Sequence, residues 1–313
     1  MPWVGCSSYG ATPKETSRGG HSYADPVPAA EESKPAELPE LRIDALQQRL
    51  RELGSVLVAF SGGADSAFLL AAAVRTLGAD RVAAATATSA SLPAAELGAA
   101  REFAAALGVR HLTPSTQEMD RAGYLANAGD RCYFCKAELT EVLAPLAARL
   151  GLAAVATGTN ADDAVVGFRP GIRAAAERGA VTPLLDAGLT KAEVRAASRH
   201  WGLVTWDKPA AACLSSRIAY GVPVSTVRLA RVERAERAVR SALTGAGVAV
   251  RNLRVRDLGD RARLEVDAAA VGEVRELAAV SEALRRAGFA EVEIDPRGFR
   301  SGSLNELLSQ PTG

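Results

Sequence analysis

Short apolar runs alternate with longer amphipathic segments from about residue 41 onward. The apolar run at 55–60 stops at Ser61-Gly62-Gly63, which predicts a buried strand that ends in a tight loop. The same patterns predict further strands near 82–88, 109–113 and 153–157, and helices over 66–77, 93–107 and 132–150. This alternation predicts an α/β fold, a parallel sheet with helices on both faces, whose ligands bind at the carboxyl ends of the strands.

The pattern changes after about residue 215. It predicts, in order, a helix over 226–243, strands over 248–257 and 261–267, a helix over 270–287 and a strand over 289–295. This α-β-β-α-β order indicates a smaller α+β domain at 216–313, which follows a larger α/β domain at 41–215.

Residues 1–40 differ from the rest of the chain. They hold six of its 15 prolines and few large aliphatic residues, so burial of apolar side chains cannot offset the conformational entropy lost on folding. We expect a disordered tail, in which Cys6 has no role.

Composition excludes several classes of protein. The chain has 313 residues, is 48% apolar and carries a formal charge of +1, so no global field attracts nucleic acid or an acidic membrane. It has neither an apolar run long enough to span a bilayer nor the basic and apolar start of a secretory signal. Four cysteines are too few for a disulfide scaffold. These features predict a soluble cytoplasmic protein.

The strongest local signal is Ser61-Gly62-Gly63-Ala64-Asp65-Ser66, between the first predicted strand and its helix. Two glycines let the backbone approach an anion, and the helix start offers free N–H groups and the positive end of its dipole. Asp65 is a candidate ligand for the Mg²⁺ that accompanies a polyphosphate. The lysine of a Walker A motif is missing. The simpler alternative is a glycine-rich turn with a capping serine.

A second polar element is Gly158-Thr159-Asn160-Ala161-Asp162-Asp163, which follows the predicted strand at 153–157. We expect it at the same sheet edge as the first loop, because parallel strands place their carboxyl ends together. The alternative is an ordinary turn rich in Asn and Asp.

Three cysteines lie in the predicted fold. Cys132 and Cys135 are spaced C-x-x-C, and Cys213 lies further along the chain. A structural zinc site needs four ligands, and none of the three histidines is an evident fourth. A redox pair would leave Cys213 unused. The remaining alternatives are three unrelated thiols and a [4Fe–4S] cluster held by three thiolates, which leaves one iron open to an exchangeable ligand.

The second half of the chain is rich in arginine. Ten arginines and four acids between 228 and 263 give a local balance of +6. A nucleic-acid surface is one interpretation, and a solvated helix face with i,i+4 pairs is another. Arg254 and Arg256 alternate along a predicted strand, so they point to one face, and arginine suits phosphate binding. Arg217, four residues after Cys213, is a further anion-binding candidate.

The loop at 61–66 resembles the PP-loop of the N-type ATP pyrophosphatases. With it, the strings GTNADDAVVGFRPG (158–171), TPLLDAGLTKAEVR (182–195) and KPAAACLSSRIAYG (208–221) resemble the LarE family over about residues 41–300. LarE proteins are ATP-dependent sulfur transferases for the nickel-pincer cofactor of lactate racemase. The resemblance implies adenylation of the carboxylates of pyridinium-3,5-dicarboxylate mononucleotide with release of pyrophosphate. Sulfur then displaces AMP and leaves a thiocarboxylate.

The resemblance also implies residue roles. Asp65, Ser61 and Cys213 are the implied catalytic residues, and Arg254, Arg256 and Arg217 are implied to hold the substrate phosphate. Glu265 is implied to lie near a metal or phosphate. The nucleotide contacts implied by the resemblance are Ser61, Gly62, Gly63, Asp65, Ser66, Gly158, Thr159, Asn160 and Asp163.

The family has two sources of sulfur. One sacrifices the cysteine that matches Cys213, and the other uses three cysteines to hold a [4Fe–4S] cluster that carries a transferable sulfide. The presence of Cys132 and Cys135 favours the cluster. The expected cofactors are therefore ATP, Mg²⁺ and [4Fe–4S].

Three other functions share some of these features. A PP-loop tRNA thiolase would have the same loop and a three-cysteine cluster, but a broader basic surface than a +1 chain offers. An ammonia-using ligase such as an NAD synthetase would not need the three cysteines. A non-catalytic adenine-nucleotide sensor would not need Asp65. Family precedent further predicts a homo-oligomer that passes its product to a nickel-inserting enzyme.

Overall fold

The computed structural model describes residues 40–165, 169–209 and 212–307. The predicted tail, Cys6 included, lies outside the described residues except for Glu40, which begins the first helix. The helices are α1 (Glu40–Leu53), α2 (Ala64–Leu77), α3 (Ala94–Ala106), α4 (Ala122–Leu125), α5 (Arg131–Arg149), α6 (Ala161–Val165), α7 (Pro170–Ala176), α8 (Pro183–Asp186), α9 (Lys191–His200), α10 (Thr226–Gly245), α11 (Val271–Glu276) and α12 (Ala278–Arg286). The strands are β1 (Val56–Ala59), β2 (Val82–Ala85), β3 (Arg110–Leu112), β4 (Ala154–Thr157), β5 (Leu253–Asp257), β6 (Arg261–Val266) and β7 (Glu291–Ile294).

The first sheet is parallel and has the strand order β3-β2-β1-β4. Val56 at the start of β1 pairs with Val82 of β2 on one side and Ala154 of β4 on the other, so the three strands end level with one another. The loops after β1, β2 and β4 therefore meet at one edge. This arrangement confirms the predicted α/β fold.

Apolar cores cover both faces of this sheet. On one face, Val56, Val58 and Phe60 pack against α2 and α9. On the other, Leu57 packs with Leu143 of α5. Because both faces are covered, the central strand is apolar along its length instead of alternating.

The second sheet has the order β5-β6-β7, with β5 antiparallel and β7 parallel to β6. Helices α10 and α12 share its core, which also includes Tyr124 from the first half of the chain. The C-terminal α+β region is thus confirmed, whereas the domain boundary near residue 215 stays a prediction. Among the described residues, no helix is both long and apolar enough to cross a membrane.

Two predicted elements in this region are wrong in their bounds. The helix predicted over 270–287 is divided into α11 and α12, because Leu277 between them adopts extended backbone angles. The strand predicted over 248–257 begins only at Leu253. Before it, the backbone N–H groups of Arg251 and Asn252 donate to the side-chain carboxylate of Asp267 instead of to a neighbouring strand.

Candidate functional site

The glycine loop after β1 is closed by its own side chains. Gly62 has a φ of +73°, a conformation that favours glycine. The backbone N–H of Gly63 donates to Ser61 Oγ at 3.4 Å, and Ser66 Oγ donates to the Gly63 carbonyl at 3.1 Å. No side chain caps the N-terminus of α2. The first N–H groups of a 14-residue helix are therefore available to an anion.

The loop after β4 lies directly against this one. A Cβ atom on Gly158 would be 2.8 Å from the Ser66 backbone nitrogen, so only glycine allows the approach. Asn160 is buried, and its Oδ1 accepts from the backbone N–H of Asp163 at 3.2 Å. Thr159 lies in the same turn, where its hydroxyl is 3.2 Å from that of Thr157. The structure thus brings together the two polar elements singled out in the sequence.

Asp65 is a largely buried carboxylate at this junction. Its Oδ1 atom is buried and has no hydrogen-bond partner within the described part of the chain. Burial is the main cause that raises the Asp65 pKa; Asp163 also raises it, while Lys191 and Arg195 oppose the shift. A buried carboxylate oxygen without a donor fits a hard cation such as Mg²⁺, which needs only one or two carboxylates when phosphates supply the other ligands.

The glycine loop has no lysine of its own, but Lys208, which lies far along the chain, contacts it. Lys208 Nζ donates to the Gly62 carbonyl at 3.0 Å and to Glu96 Oε2 at 2.7 Å. Arg195 holds the backbone of Lys208 in place, because its Nη2 donates to the Lys208 carbonyl at 2.8 Å. Lys208 thus places an ammonium group, paired with Glu96, against the glycine loop.

We expect Lys208→Met to weaken binding of ATP and of pyrophosphate by about 10- to 100-fold, since a charge-assisted hydrogen bond contributes about 1.5–3 kcal/mol. Glu96→Gln should instead leave binding unchanged or strengthen it, because it frees Lys208 for phosphate. Calorimetric titration of both variants checks these opposite signs. Equal weakening in the two variants would contradict this role for Lys208.

One cavity joins the loop to two of the cysteines. Ser61, Cys135 and Cys213 all line it, together with Lys136 and the buried Glu118. We call it the loop cavity. It lies beyond the carboxyl ends of β1 and β2, where the fold predicts a ligand.

The three thiols differ in exposure. Cys132 is exposed, whereas Cys135 and Cys213 are half-buried. Burial first, and the neighbouring Cys213 second, raise the pKa of the Cys135 thiol to about 12. In the part of the chain that the structure describes, no three His, Cys, Asp or Glu side chains are grouped closely enough to hold a metal ion. The thiols as placed do not fit a ready-made ligand set for a [4Fe–4S] cluster.

The backbone around Cys213 is held by several hydrogen bonds. The Leu214 N–H donates to the Ser91 carbonyl at 2.8 Å, and Ser216 Oγ donates to the Cys213 carbonyl at 2.7 Å. Arg217 Nη1 donates to the same carbonyl at 2.9 Å, while its Nε donates to Glu236 at 3.0 Å. Arg217, a predicted phosphate ligand, is therefore engaged in fixing the Cys213 segment.

A second cavity holds the other predicted arginines. Arg254 and Arg256 line it with Arg131, Tyr220 and Phe299. We call it the arginine cavity. Burial, and then the charges of Arg217 and Arg256, lower the pKa of Arg254 to about 10, although Glu236 opposes this shift.

Glu265 does not line the arginine cavity but pairs with one of its arginines. It is fully buried, lies 2.7 Å from Arg256 and accepts from Ser303 Oγ at 2.7 Å. Both of its carboxylate oxygens are engaged. The structure thus places Glu265 as the partner of Arg256, and its contact with a metal stays a prediction.

The two cavities adjoin the same cysteine segments. Ala212 lines the arginine cavity and Cys213 the loop cavity, and in α5 Arg131 lines the former and Cys135 the latter. The thiols therefore lie between an anion-binding loop and a cluster of arginines.

A glycine loop between a strand and a helix of a parallel sheet, with a carboxylate beside the loop, is the arrangement expected of the PP-loop class of ATP-using proteins. The family described as asparagine synthase matches residues 37–288. Over 262 residues the chain is 34% identical to the pyridinium-3,5-bisthiocarboxylic acid mononucleotide synthase of Lactiplantibacillus plantarum, an alignment that covers 83% of this chain and 92% of that protein. The chain therefore belongs to the LarE family of PP-loop proteins, as its motifs predict.

Two further relatives extend the comparison. An uncharacterized protein of Synechocystis sp. is 39% identical over 274 residues, which is 87% of this chain and 99% of that protein. An uncharacterized protein of Methanocaldococcus jannaschii is 27% identical over 177 residues, or 56% and 67% of the two chains.

Proposed function

We propose that this chain is an AMP-forming sulfur transferase that converts the carboxylates of pyridinium-3,5-dicarboxylate mononucleotide to thiocarboxylates. The observation that carries the proposal is the loop cavity, where Ser61 of the nucleotide loop and the thiols of Cys135 and Cys213 line one space. The named relative from L. plantarum supports the choice of substrate.

The first half-reaction uses the loop. The N–H groups at the start of α2 and the Lys208 ammonium bind the pyrophosphate end of ATP, and Asp65, with Asp163 nearby, would hold Mg²⁺. Bound Mg²⁺ neutralises charge that develops on the phosphates. A substrate carboxylate oxygen then attacks the α-phosphorus, and the bond to pyrophosphate breaks. The product is an acyl-adenylate, whose carbonyl carbon is a far better electrophile than that of a carboxylate.

The second half-reaction takes place at the thiols. A sulfur nucleophile attacks the acyl carbon, a C–S bond forms, and AMP leaves with the electron pair of the broken C–O bond. A substrate whose phosphate occupies the arginine cavity has the thiols beside it, because Ala212 and Cys213 face the two cavities in turn. A second round of adenylation and sulfur transfer converts the other carboxylate.

The sulfur source is a finer point of the proposal. The sequence favours a [4Fe–4S] cluster on Cys132, Cys135 and Cys213, and two of these thiols share a cavity. In the described part of the chain the thiols are not grouped at metal-binding distances, so reconstitution decides between the two sources. Uptake of about four irons per chain on anaerobic reconstitution, with broad absorbance in the visible range, would show the cluster. Loss of the elements of H₂S from Cys213 after turnover would instead show that the cysteine is sacrificed.

Pyrophosphate release tests the proposal against the tRNA thiolase. We expect release to require the dicarboxylate mononucleotide and to be unaffected by bulk tRNA. Release that requires tRNA would contradict it. Four of the arginines between 228 and 263 are engaged or buried, since Arg228 and Arg231 both pair with the buried Asp257 and the side chains of Arg254 and Arg256 are buried. A homo-oligomer, and transfer of the product to a nickel-inserting enzyme, stay predictions.

A further inference from the structure

Arg131 connects the two cysteine segments. It is the first residue of α5, directly before Cys132, and its side chain is buried. Its Nη1 donates to the Ser215 carbonyl at 2.8 Å, and Ser215 lies two residues after Cys213. The same nitrogen donates to Asn127 Oδ1. One guanidinium therefore fixes the start of the C-x-x-C helix against the Cys213 segment.

Asn127 completes this contact. It is fully buried and has a φ of +53°, the one positive value for a non-glycine residue within the described ranges. Its Nδ2 donates to the carbonyls of Ala219 and Val222, each at 2.8 Å. Such a backbone conformation persists only where surrounding contacts hold it, and it concentrates at functional sites. Asn127 and Arg131 together form a clamp on residues 215–222.

The other side of Arg131 faces the arginine cavity. Its charge centre lies 5.8 Å from the centroid of the Tyr220 ring, which lines the same cavity. Both of its hydrogen bonds to described residues use Nη1, so the N–H groups of Nε and Nη2 have no acceptor there. Arginine presents its donors as a rigid fork, which suits two oxygens of one phosphate.

The charge of the cavity also indicates an anion. Its wall carries three guanidinium groups, those of Arg131, Arg254 and Arg256, and the fully buried Glu265 pairs with Arg256 behind the wall. Crowding of cations contributes to the lowered pKa of Arg254. A phosphate monoester in the cavity would relieve the repulsion among these guanidinium groups.

We propose that Arg131 is a phosphate-binding residue of the arginine cavity and, through its clamp with Asn127, couples occupation of that cavity to the spacing of Cys135 and Cys213. The inference rests on the proposed function for the identity of the phosphate as the substrate's own. Bound substrate would thus restrict the relative positions of the Cys135 and Cys213 thiols, between which sulfur transfer occurs. An anion on Nε and Nη2 of Arg131 orients the guanidinium group, and Nη1 of the same group donates to the Ser215 carbonyl.

The experiment uses the full-length protein, reduced and freed of metal with a chelator, and inorganic phosphate as the probe. Calorimetry measures phosphate affinity. A short bifunctional thiol reagent, mapped by mass spectrometry, measures how often Cys135 and Cys213 are joined. In the unaltered protein phosphate should raise the cross-linked fraction. Arg131→Met should lower phosphate affinity by about 10-fold or more and abolish the response, since it removes a charge-assisted contact.

Two further variants separate binding from coupling. Asn127→Gly keeps the positive φ but removes the amide, so phosphate should still bind within a few-fold while the cross-linking response is lost. Arg121→Met is the matched control, because Arg121 pairs with Glu138 and Glu141 outside both cavities and should change neither measurement.

Two results would overturn the proposal. One is a phosphate affinity of Arg131→Met within twofold of the unaltered protein; the other is cross-linking in the unaltered protein that ignores phosphate. If Arg131→Met fails to fold, Asn127→Gly with an intact phosphate response is sufficient to refute the coupling. A protein that shows the phosphate response but releases no pyrophosphate with the dicarboxylate mononucleotide would retain this inference and lose the proposed function.

Discussion

Asp65→Asn is expected to reduce substrate-dependent pyrophosphate release by about 100-fold or more and, at the same time, to make the protein more stable to heat. The carboxylate is largely buried, its Oδ1 has no partner among the described residues, and burial raises its pKa. An unsatisfied buried polar group costs about 1–3 kcal/mol, which the isosteric neutral amide reduces. Loss of the Mg²⁺ ligand removes charge stabilisation from the first half-reaction, for which we expect a rate reduction of about 100-fold or more.

The pH dependence follows from the direction of the shift. A raised pKa means that the folded state binds the Asp65 proton more tightly than the unfolded state, so the ionised carboxylate destabilises the fold above the ordinary aspartate pKa. The gain in stability of Asp65→Asn should therefore be present at neutral pH and vanish in acid. Thermal melts without Mg²⁺ or nucleotide measure this. Asp162→Asn is the control, since Asp162 is exposed and accepts from the Lys191 N–H; it should gain no stability and keep pyrophosphate release.

Cys213→Ser should separate the two half-reactions. The loop, Asp65 and Lys208 remain in place, so substrate-dependent pyrophosphate release should persist, while thiocarboxylate formation should fall below detection. A hydroxyl neither supplies sulfur nor ligates iron as a thiolate does. Product analysis alongside a pyrophosphate assay measures both steps in one sample.

Serine variants of the other three cysteines distinguish the two sulfur sources and provide a control. On the cluster route Cys132→Ser and Cys135→Ser should each lose sulfur transfer as well; if Cys213 is sacrificed, both should retain it. Cys6→Ser, in the N-terminal segment, should leave both steps unchanged. Full sulfur transfer by Cys213→Ser would refute the assignment of that thiol.

The fold followed from local patterns wherever one pattern dominated. Continuous apolar runs located β1, β2 and β4, and the glycines after β1 located the loop that binds the nucleotide. Helices α1, α4 and α6 to α9 were not predicted. Helices α4, α6, α7 and α8 have only four to seven residues, too few to show a helical period. Helix α9 is longer and begins at a capping box of Thr190 and Glu193, a signal that the sequence does carry. No proline or glycine lies directly beside Leu277, where the predicted helix divides, so its extended backbone left no mark in the sequence.

The site was harder to predict than the fold, because its charged side chains contact residues that are distant in the sequence. Lys208 was visible within a recognised motif, but its contact with Gly62 crosses 146 positions of sequence. Arg217 matched an anion-binding pattern, yet Glu236 and the Cys213 carbonyl engage its guanidinium. Arg131 had one signal, its place beside Cys132; only tertiary structure shows which carbonyl an arginine reaches.

In the proposed reaction, the activated acid and the sulfur that attacks it meet at one edge of the first sheet. We would incubate the purified protein anaerobically with ATP, Mg²⁺ and pyridinium-3,5-dicarboxylate mononucleotide and analyse the small molecules by mass spectrometry. We predict AMP, pyrophosphate and a mononucleotide in which sulfur has replaced one carboxylate oxygen, then a second. ATP cleavage with every carboxylate oxygen retained would contradict the account.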